Sequence, residues 1–241
     1  SEQWFNDVGD FHEGFAKVYL NDKLNFIDTE GKLRSNQWLD GVGYFSDGFA
    51  WVMLNGKANF IDTEGKLLSE QWFDYAGDFS DGFAQVELNG KSNFIDTKGS
   101  LLSDQWFDDA LDFSDGIAPV KLNDKSNFID TKGSLLSDHW FDYAYNFSDG
   151  FAWVKLNEKF NFIDTKGSLL SDQWFDNVQD FSKGFAQVYL NDKYNFIDTE
   201  GKLLSNQWFD WADDFSDGYA EVRKDGVSYR LDTKGNLTPL G

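Results

Sequence analysis

Small or apolar residues alternate with variable ones along residues 82–88 (Gly-Phe-Ala-Gln-Val-Glu-Leu), which is the period-two pattern of a half-buried β-strand. The pair Asn89-Gly90 follows directly, and both residue types tolerate the positive φ angles of a type I′ hairpin turn. Residues 92–97 then supply a largely apolar returning strand. The pattern therefore predicts a β-hairpin at this place in the chain.

The chain on either side of this hairpin predicts further short strands. After a turn at Lys98-Gly99, residues 100–103 predict a short third strand, and residues 72–76 predict an extended segment ahead of the hairpin. Residues 78–82 (Asp-Phe-Ser-Asp-Gly) have the Asp, Ser and Gly side chains that are typical of turns. No stretch carries helical periodicity, so we predict an all-β protein with three or four strands in each unit.

This unit recurs along the whole chain at a constant period. A tryptophan marks it every 34 residues, at Trp4, Trp38, Trp72, Trp106, Trp140, Trp174 and Trp208. Self-similarity at a period of about 20 to 50 residues is typical of propellers, solenoids and arrays. Because no stretch has the composition of a linker, we predict a single repeat domain over residues 1–241, with units that start at these tryptophans.

Seven β-units can close into a ring or stack in a line. Propellers have about four to eight blades, and Ser1-Glu2-Gln3 matches Ser69-Glu70-Gln71, so a strand from the N-terminus would complete the last sheet. We therefore predict a closed seven-bladed β-propeller. The alternative is an open β-solenoid or superhelical repeat array, because Arg230 and Val227 replace the phenylalanine and lysine of the other units, as in a polar cap.

The charge of the chain bears on its partners. Its 42 acidic and 21 basic residues give a formal net charge of -21, which repels nucleic acid and anionic lipid head groups. No apolar run approaches the ~20 residues that cross a bilayer. We predict a soluble protein without a nucleic-acid partner and without membrane insertion.

Several residue types are constant from unit to unit, and most of them predict framework roles. An alanine two residues before a valine predicts the buried face of a strand, and an aspartate followed by threonine predicts a turn cap. A tryptophan in every unit predicts a packing wedge between neighbours. The alanines are Ala16, Ala50, Ala84, Ala118, Ala152, Ala186 and Ala220; the aspartates are Asp28, Asp62, Asp96, Asp130, Asp164, Asp198 and Asp232.

Candidate catalytic and metal chemistry is sparse. Asp78, Ser80 and Asp81 have calcium-ligand oxygens, but their spacing does not match the EF-hand loop. His12 and His139 occupy different repeat positions, and neither has a neighbouring nucleophile or a metal-ligand partner in the sequence. We predict that the protein is not an enzyme and that it uses no cofactor or metal, with calcium as the minority alternative.

The unit resembles the bacterial WG (or KWG) repeat in all seven copies. The resemblance rests on the string Gly-Phe-Ala-x-Val-x-Leu-Asn-Gly-Lys-x-Asn-Phe-Ile-Asp-Thr-x-Gly and on Trp-Phe-Asp-x-Ala-x-Asp-Phe-Ser-Asp-Gly. It fails at the namesake Trp-Gly pair, where this chain has Leu24-Asn25, Ala58-Asn59, Ser92-Asn93, Ser126-Asn127, Phe160-Asn161, Tyr194-Asn195 and Ser228-Tyr229. The resemblance implies a divergent β-repeat from a secreted or cell-envelope protein, with no established activity and no catalytic residues.

Function is expected at the positions that vary on this constant scaffold. Three variable columns mix aromatic, amide and charged side chains, and from them we predict the ligand-binding residues Trp51, Trp153, Tyr75, Tyr143, Trp211, Tyr19 and Tyr189. Aromatic faces beside amides suit sugar rings, so we predict a multivalent, lectin-like carbohydrate-binding module. A protein or peptide interaction scaffold is the alternative, and a structural or designed repeat protein without a ligand is a third possibility.

Overall fold

A computed structural model describes residues 4–240, and within that part of the chain all regular secondary structure is β. The first three repeats contain β1 (Asp7–His12), β2 (Phe15–Leu20), β3 (Lys23–Asp28), β4 (Gly41–Val42), β5 (Phe49–Leu54), β6 (Lys57–Asp62), β7 (Tyr75–Ala76), β8 (Phe83–Leu88) and β9 (Lys91–Asp96). The fourth and fifth contain β10 (Asp109–Ala110), β11 (Ile117–Leu122), β12 (Lys125–Asp130), β13 (Tyr143–Ala144), β14 (Phe151–Leu156) and β15 (Lys159–Asp164). The last two contain β16 (Asn177–Val178), β17 (Phe185–Leu190), β18 (Lys193–Asp198), β19 (Trp211–Ala212), β20 (Tyr219–Lys224), β21 (Val227–Asp232) and β22 (Leu237–Pro239).

Each repeat is built on one long antiparallel hairpin preceded by a shorter strand. In the third repeat β7 pairs with β8, and β8 pairs with β9 in a regular register from Phe83↔Asp96 to Leu88↔Lys91. Asn89 and Gly90 both have positive φ angles, 53° and 71°. The predicted all-β class, the seven small sheets and the hairpin turn are therefore confirmed.

The predicted strand over residues 100–103 is wrong in extent. Leu101 makes a single bridge to Ile95, and the chain then leaves the sheet. The reason is a buried side chain: the Asn93 amide donates to the carbonyl oxygens of Ser103 at 2.8 Å and Gln105 at 3.3 Å. These carbonyls therefore bond to a side chain, and no second strand backbone pairs with them.

The Asp-Thr turn after each hairpin has the predicted capping role. The Oδ1 atom of Asp96 accepts hydrogen bonds from the backbone N–H groups of Lys98 and Ser100, both within 2.9 Å. The same pair of bonds recurs at Asp28, Asp62, Asp130, Asp164, Asp198 and Asp232. An aspartate that satisfies two turn N–H groups stabilises a tight connection without a regular strand.

The chain divides into two compact units, residues 1–123 with 129–134, and residues 124–128 with 135–241. The boundary passes through the fourth repeat. The first unit therefore holds the sheets of the first three repeats with the paired strands β10 and β11, and the second unit holds the sheets of the last three repeats.

Within each unit, successive sheets pack face to face. Phe60 of the second sheet, together with Phe73, which bridges to Ala58 of that sheet, packs against Ala76, Ala84 and Val86 of the third sheet. The alanine column is buried throughout, at most 2% exposed, which confirms its predicted core role. Small residues opposite phenylalanines let the sheets approach closely, because large and small side chains then interlock.

The predicted tryptophan wedge is confirmed where neighbouring repeats cover it. Trp72 packs against the core cluster of the first and second repeats, and Trp106 and Trp208 pack in the same way in their units. Trp4 instead is 91% exposed. The indoles of Trp72, Trp106 and Trp208 are thus packing elements between neighbouring repeats.

Ion pairs also join neighbouring repeats. The Asp74 carboxylate accepts a hydrogen bond from the Lys57 ammonium group of the preceding hairpin through Oδ1 and another from the Asn89 N–H through Oδ2, at 2.7 Å. Both bonds lower the pKa of Asp74, the lysine bond most. Equivalent pairs are Lys23–Asp40, Lys91–Asp108, Lys125–Asp142, Lys159–Asp176 and Lys193–Asp210.

The first and last repeats differ from the inner ones. Phe11 occupies the position of the buried inter-repeat phenylalanines but is 52% exposed. In the last repeat β22 pairs with β21, and the Arg230 guanidinium lies 4.5 Å from the centre of the Tyr219 ring. Residues 1–3, which would close the ring in the predicted propeller, lie outside the described residues, so the closed seven-bladed arrangement stays a prediction.

Candidate functional site

An aromatic stack in the fifth repeat brings together two of the predicted binding residues. The Trp153 ring lies 5.5 Å from the Tyr143 ring, and the two planes are 23° apart. The Tyr145 ring stacks on the same indole at 5.0 Å and 7°, and Phe160 meets it edge-on at 5.6 Å. The result is a wall of four rings on one face of the sheet.

Strand register explains why these side chains meet. Tyr143 pairs with Lys155, and Lys155 pairs with Phe160, so all three side chains project from the same face. Sequence reasoning missed Tyr145 and Phe160. Tyr145 stands where the first three repeats have Gly9, Gly43 and Gly77, and Phe160 falls on the namesake position of the repeat. Their departure from the other copies was the available signal.

The wall borders an open depression of about 630 Å³. Its lining combines rings with amide, hydroxyl and carboxylate groups: Tyr145, Trp153, Phe160, Asn177, Val178, Gln179, Asp180, Ser182 and Asp214. Within the described chain, no ion pair or side-chain hydrogen bond involves the carboxylates of Asp180 and Asp214. The depression therefore combines an aromatic stack with two carboxylates that are free to bind.

A second depression of about 600 Å³ adjoins the first and shares Phe160, Asn177, Val178 and Gln179 with it. Its lining contains two more predicted residues, Tyr189 and Trp211. The complete lining is Phe160, Asp176, Asn177, Val178, Gln179, Gln187, Val188, Tyr189, Tyr194, Trp211 and Ala212. The two depressions thus form one continuous surface across the last three repeats.

Tyrosines and glutamines shape the second depression. The rings of Tyr189 and Tyr194 are 4.8 Å apart, and the Tyr189 hydroxyl donates to Asp192 at 2.9 Å, which raises the pKa of Tyr189. Gln179 donates to the Gln187 side-chain oxygen at 3.1 Å, and Gln187 donates to the Ala212 carbonyl at 3.0 Å. The amide chain fixes Gln187 between two repeats, so it presents a rigid polar floor.

The remaining predicted residues lie in the first unit and do not form a comparable wall. Trp51 lies flat over Gly41 and Gly43, where an added Cβ at Gly43 would overlap the indole, and it packs against the core cluster of the third repeat. Tyr75 and Tyr19 are exposed. Within residues 4–240, none of the three has a ring contact with another aromatic side chain.

The first unit instead contains an internal cation site. The Lys17 ammonium group lies 3.5 Å from the centre of the Tyr44 ring, and the centre of the His12 ring lies 5.4 Å from the centre of the same ring. Burial lowers the pKa of Lys17, and the charge of Asp78 opposes that shift. Lys17, Tyr44 and Asp78 come from three successive repeats, so the seam between repeats can hold an ammonium group.

The described structure offers few candidate residues for metal binding, membrane insertion or catalysis. Within residues 4–240, no group of three or more His, Cys, Asp or Glu side chains is placed to hold a metal ion, and no helix is long and apolar enough to span a membrane. His139 lines a third depression of about 400 Å³ together with Phe141, Leu156, Asn157, Lys159, Leu169 and Trp174. The absence of enzymatic activity and of a cofactor stays a prediction.

Comparison with solved structures gives weak likenesses. Kluyveromyces lactis Hsv2p shares 10% identity, with 98% of each chain covered and a TM-score of 0.36. Kluyveromyces marxianus Hsv2 shares 11%, with 93% of this chain and 92% of the other covered and a TM-score of 0.35. A eukaryotic initiation factor shares 11%, with 89% and 70% covered and a TM-score of 0.38. TM-scores this low add nothing to the fold described above.

Comparison by sequence is more informative. A search of curated proteins found no match. The family model of the WG containing repeat matches this chain in seven consecutive segments, residues 5–23, 26–57, 60–91, 94–125, 128–160, 162–194 and 196–227. The chain therefore belongs to the WG-repeat family.

Proposed function

We propose that this protein is a non-catalytic binding module that recognises carbohydrate on the surface formed by its last three repeats. The observation that carries the proposal is the stack of Trp153 on Tyr143 and Tyr145 beside a depression lined by Asn177 and Gln179. A sugar ring has an apolar C–H face and a rim of hydroxyls. The proposed site offers a surface for each.

The wall and the rim have separate roles in this proposal. The stacked rings of Trp153 and Tyr145 supply the apolar surface against which a sugar ring packs, since aromatic side chains bury large areas at low entropic cost. Asn177 accepts a hydrogen bond from the Val178 N–H and Gln179 donates one to Gln187, and the remaining donor and acceptor sites of these two amides serve the hydroxyls. The second depression, with Tyr189, Tyr194 and Trp211, extends the surface and accommodates a further sugar unit of an oligosaccharide.

The chain provides a matched control for this proposal. Trp51 and Trp153 occupy equivalent repeat positions, but Trp51 covers glycines and Trp153 covers tyrosines. We expect Trp153→Ala to weaken glycan binding by about tenfold or more, because truncation of a central aromatic anchor has effects of that size. Trp51→Ala should leave binding at the second unit unchanged.

The measurement is a glycan-array screen of the labelled protein, followed by calorimetric titration of the best oligosaccharide against both variants. Tyr145→Ala serves as a second test, because this ring is half exposed and its removal disturbs the core least. A blank array would refute carbohydrate binding and would favour the protein or peptide scaffold. Equal affinity of the wild type and both Trp153→Ala and Tyr145→Ala would remove the site assignment.

A further inference from the structure

A correspondence between repeats links the carbohydrate surface to the internal cation site. Lys17, Tyr44 and Asp78 belong to the first, second and third repeats, and the residues four repeats later are Trp153, Asp180 and Asp214. All three of the latter line the first depression. The depression is thus the equivalent, in the second unit, of the place where Lys17 puts its ammonium group.

The chemistry of the two places differs in one respect. In the first unit the cation comes from the chain itself, with an aromatic face beneath it and the Asp78 charge beside it. In the second unit the lysine is replaced by an indole and the tyrosine by a second carboxylate. The aromatic face and the negative charge are therefore retained, while the cation is no longer supplied by the side chain at that position.

We propose that this depression binds the protonated amine of an amino sugar, with the amine directed to Asp180 and Asp214 and the sugar ring packed against the stacked rings of Tyr145 and Trp153. This inference rests on the proposed carbohydrate function and names its ligand class. An ammonium group is attracted both by carboxylates and by aromatic faces. The net charge of -21 also raises the local concentration of cationic ligands.

The second, independent feature of the site is its aromatic wall. Carboxylates alone would attract any cation, including a simple metal ion. Here the Tyr145 and Trp153 rings lie parallel, 7° apart, and stack on one another at 5.0 Å, and this aromatic stack lines the same depression as the carboxylates. That combination selects a ligand with a flat apolar body and a charged substituent on its edge, which is the shape of a pyranose that bears a free amine.

The experiment compares two trimers of equal length by calorimetric titration of the full chain at about pH 6. The probes are the β1,4-linked glucosamine trimer and its fully N-acetylated counterpart, which lacks the charge. We expect tighter binding of the glucosamine trimer. The variant Asp180→Asn/Asp214→Asn should weaken that binding by about three- to tenfold and leave binding of the acetylated trimer unchanged.

Three controls keep this result specific. Asp104→Asn removes an exposed carboxylate elsewhere and should change neither titration. Raising the salt concentration should weaken binding of the glucosamine trimer alone, because salt screens an exposed ion pair, and this test needs no variant. The tripeptide of three lysines tests whether a basic peptide is the better occupant of the same carboxylates.

The outcomes separate this inference from the broader proposal. Four results would each overturn the amine site. They are equal affinity for both trimers, no binding of the glucosamine trimer, a preference for the glucosamine trimer that survives in the double variant, and tighter binding of the lysine tripeptide. Binding of the acetylated trimer that depends on Trp153 would still support carbohydrate recognition. Failure of every glycan on the array would remove both ideas together.

Discussion

The ring of Phe79 in the third repeat lies 5.0 Å from the ring of Phe60 in the second, nearly edge-on at 70°. The same ring lies 4.9 Å from Phe49. Phe79 is 2% exposed and joins the two sheets into one core cluster. The equivalent residue of the first repeat, Phe11, is half exposed, so the same residue type occupies two different environments in one chain.

This contrast predicts that the same substitution lowers the free energy of unfolding by different amounts at the two positions. Phe79→Ala should lower the free energy of unfolding by about 3–5 kcal/mol, since it leaves a cavity between two sheets. Phe11→Ala should cost far less, because the Phe11 ring is already half in water. Denaturant titration of both variants measures the difference, and similar losses of unfolding free energy would contradict the packing of Phe79 between two repeats.

Glycines in the turns predict a second contrast. Gly99 and Gly82 have nearly equal positive φ angles, 84° and 80°, but a Cβ at Gly99 would overlap the carbonyl oxygen of Leu68 in the preceding repeat, and one at Gly82 would meet open space. Gly82→Ala should cost about 1–2 kcal/mol of unfolding free energy from backbone strain. Gly99→Ala should add about 1–3 kcal/mol for the clash. Thermal or denaturant melts that rank the two variants equally would show that strain alone matters.

The buried asparagine at the second position of the namesake pair predicts a third effect. Asn93 is fully buried, accepts a hydrogen bond from the Phe94 N–H at 2.8 Å and donates to Ser103 and Gln105. Asn93→Ala leaves these backbone groups without their partner, at a cost of about 1–3 kcal/mol of unfolding free energy. Hydrogen exchange should also accelerate over residues 100–105. Asn146→Ala, at an exposed asparagine, is the control and should leave both measurements unchanged.

Acid should weaken the ties between repeats. The lysine hydrogen bond and then a turn N–H lower the pKa of Asp40, Asp74, Asp108, Asp142, Asp176 and Asp210. A folded-state pKa below the unfolded value of about 3.9 stabilises the fold above that value, and the stabilisation is lost as the pH falls through the folded pKa. We therefore expect the unfolding midpoint to fall as the pH is lowered below about 4.

A single variant isolates this effect from the general relief of charge repulsion that acid also brings. Asp74→Asn should destabilise the protein at neutral pH. The difference in unfolding free energy between this variant and the wild type should shrink as the pH falls below about 4. Asp104→Asn removes one negative charge from an exposed position without this pair of bonds. If both variants follow the wild-type pH profile equally, the inter-repeat ion pairs do not govern acid stability.

The sequence by itself determined the local structure of this protein. The hairpin at Asn89-Gly90, the cap at Asp96 and the buried Ala84 each follow from a residue type and its neighbours within a few positions. Backbone φ preferences, short-range hydrogen bonds and period-two alternation act over such distances and repeat with the sequence. The all-β class, the period and the family therefore needed no tertiary information.

The tertiary structure decided which of the equivalent residues form a site. Trp51 and Trp153 are indistinguishable by repeat position, yet one covers glycines and the other stacks on Tyr143 and Tyr145. Side chains from three repeats meet at the depression beside Trp153, as they do at Lys17. Such contacts depend on how neighbouring sheets pack and on which residues face each other across the seam. The spacing of residues within a single repeat does not encode either of these.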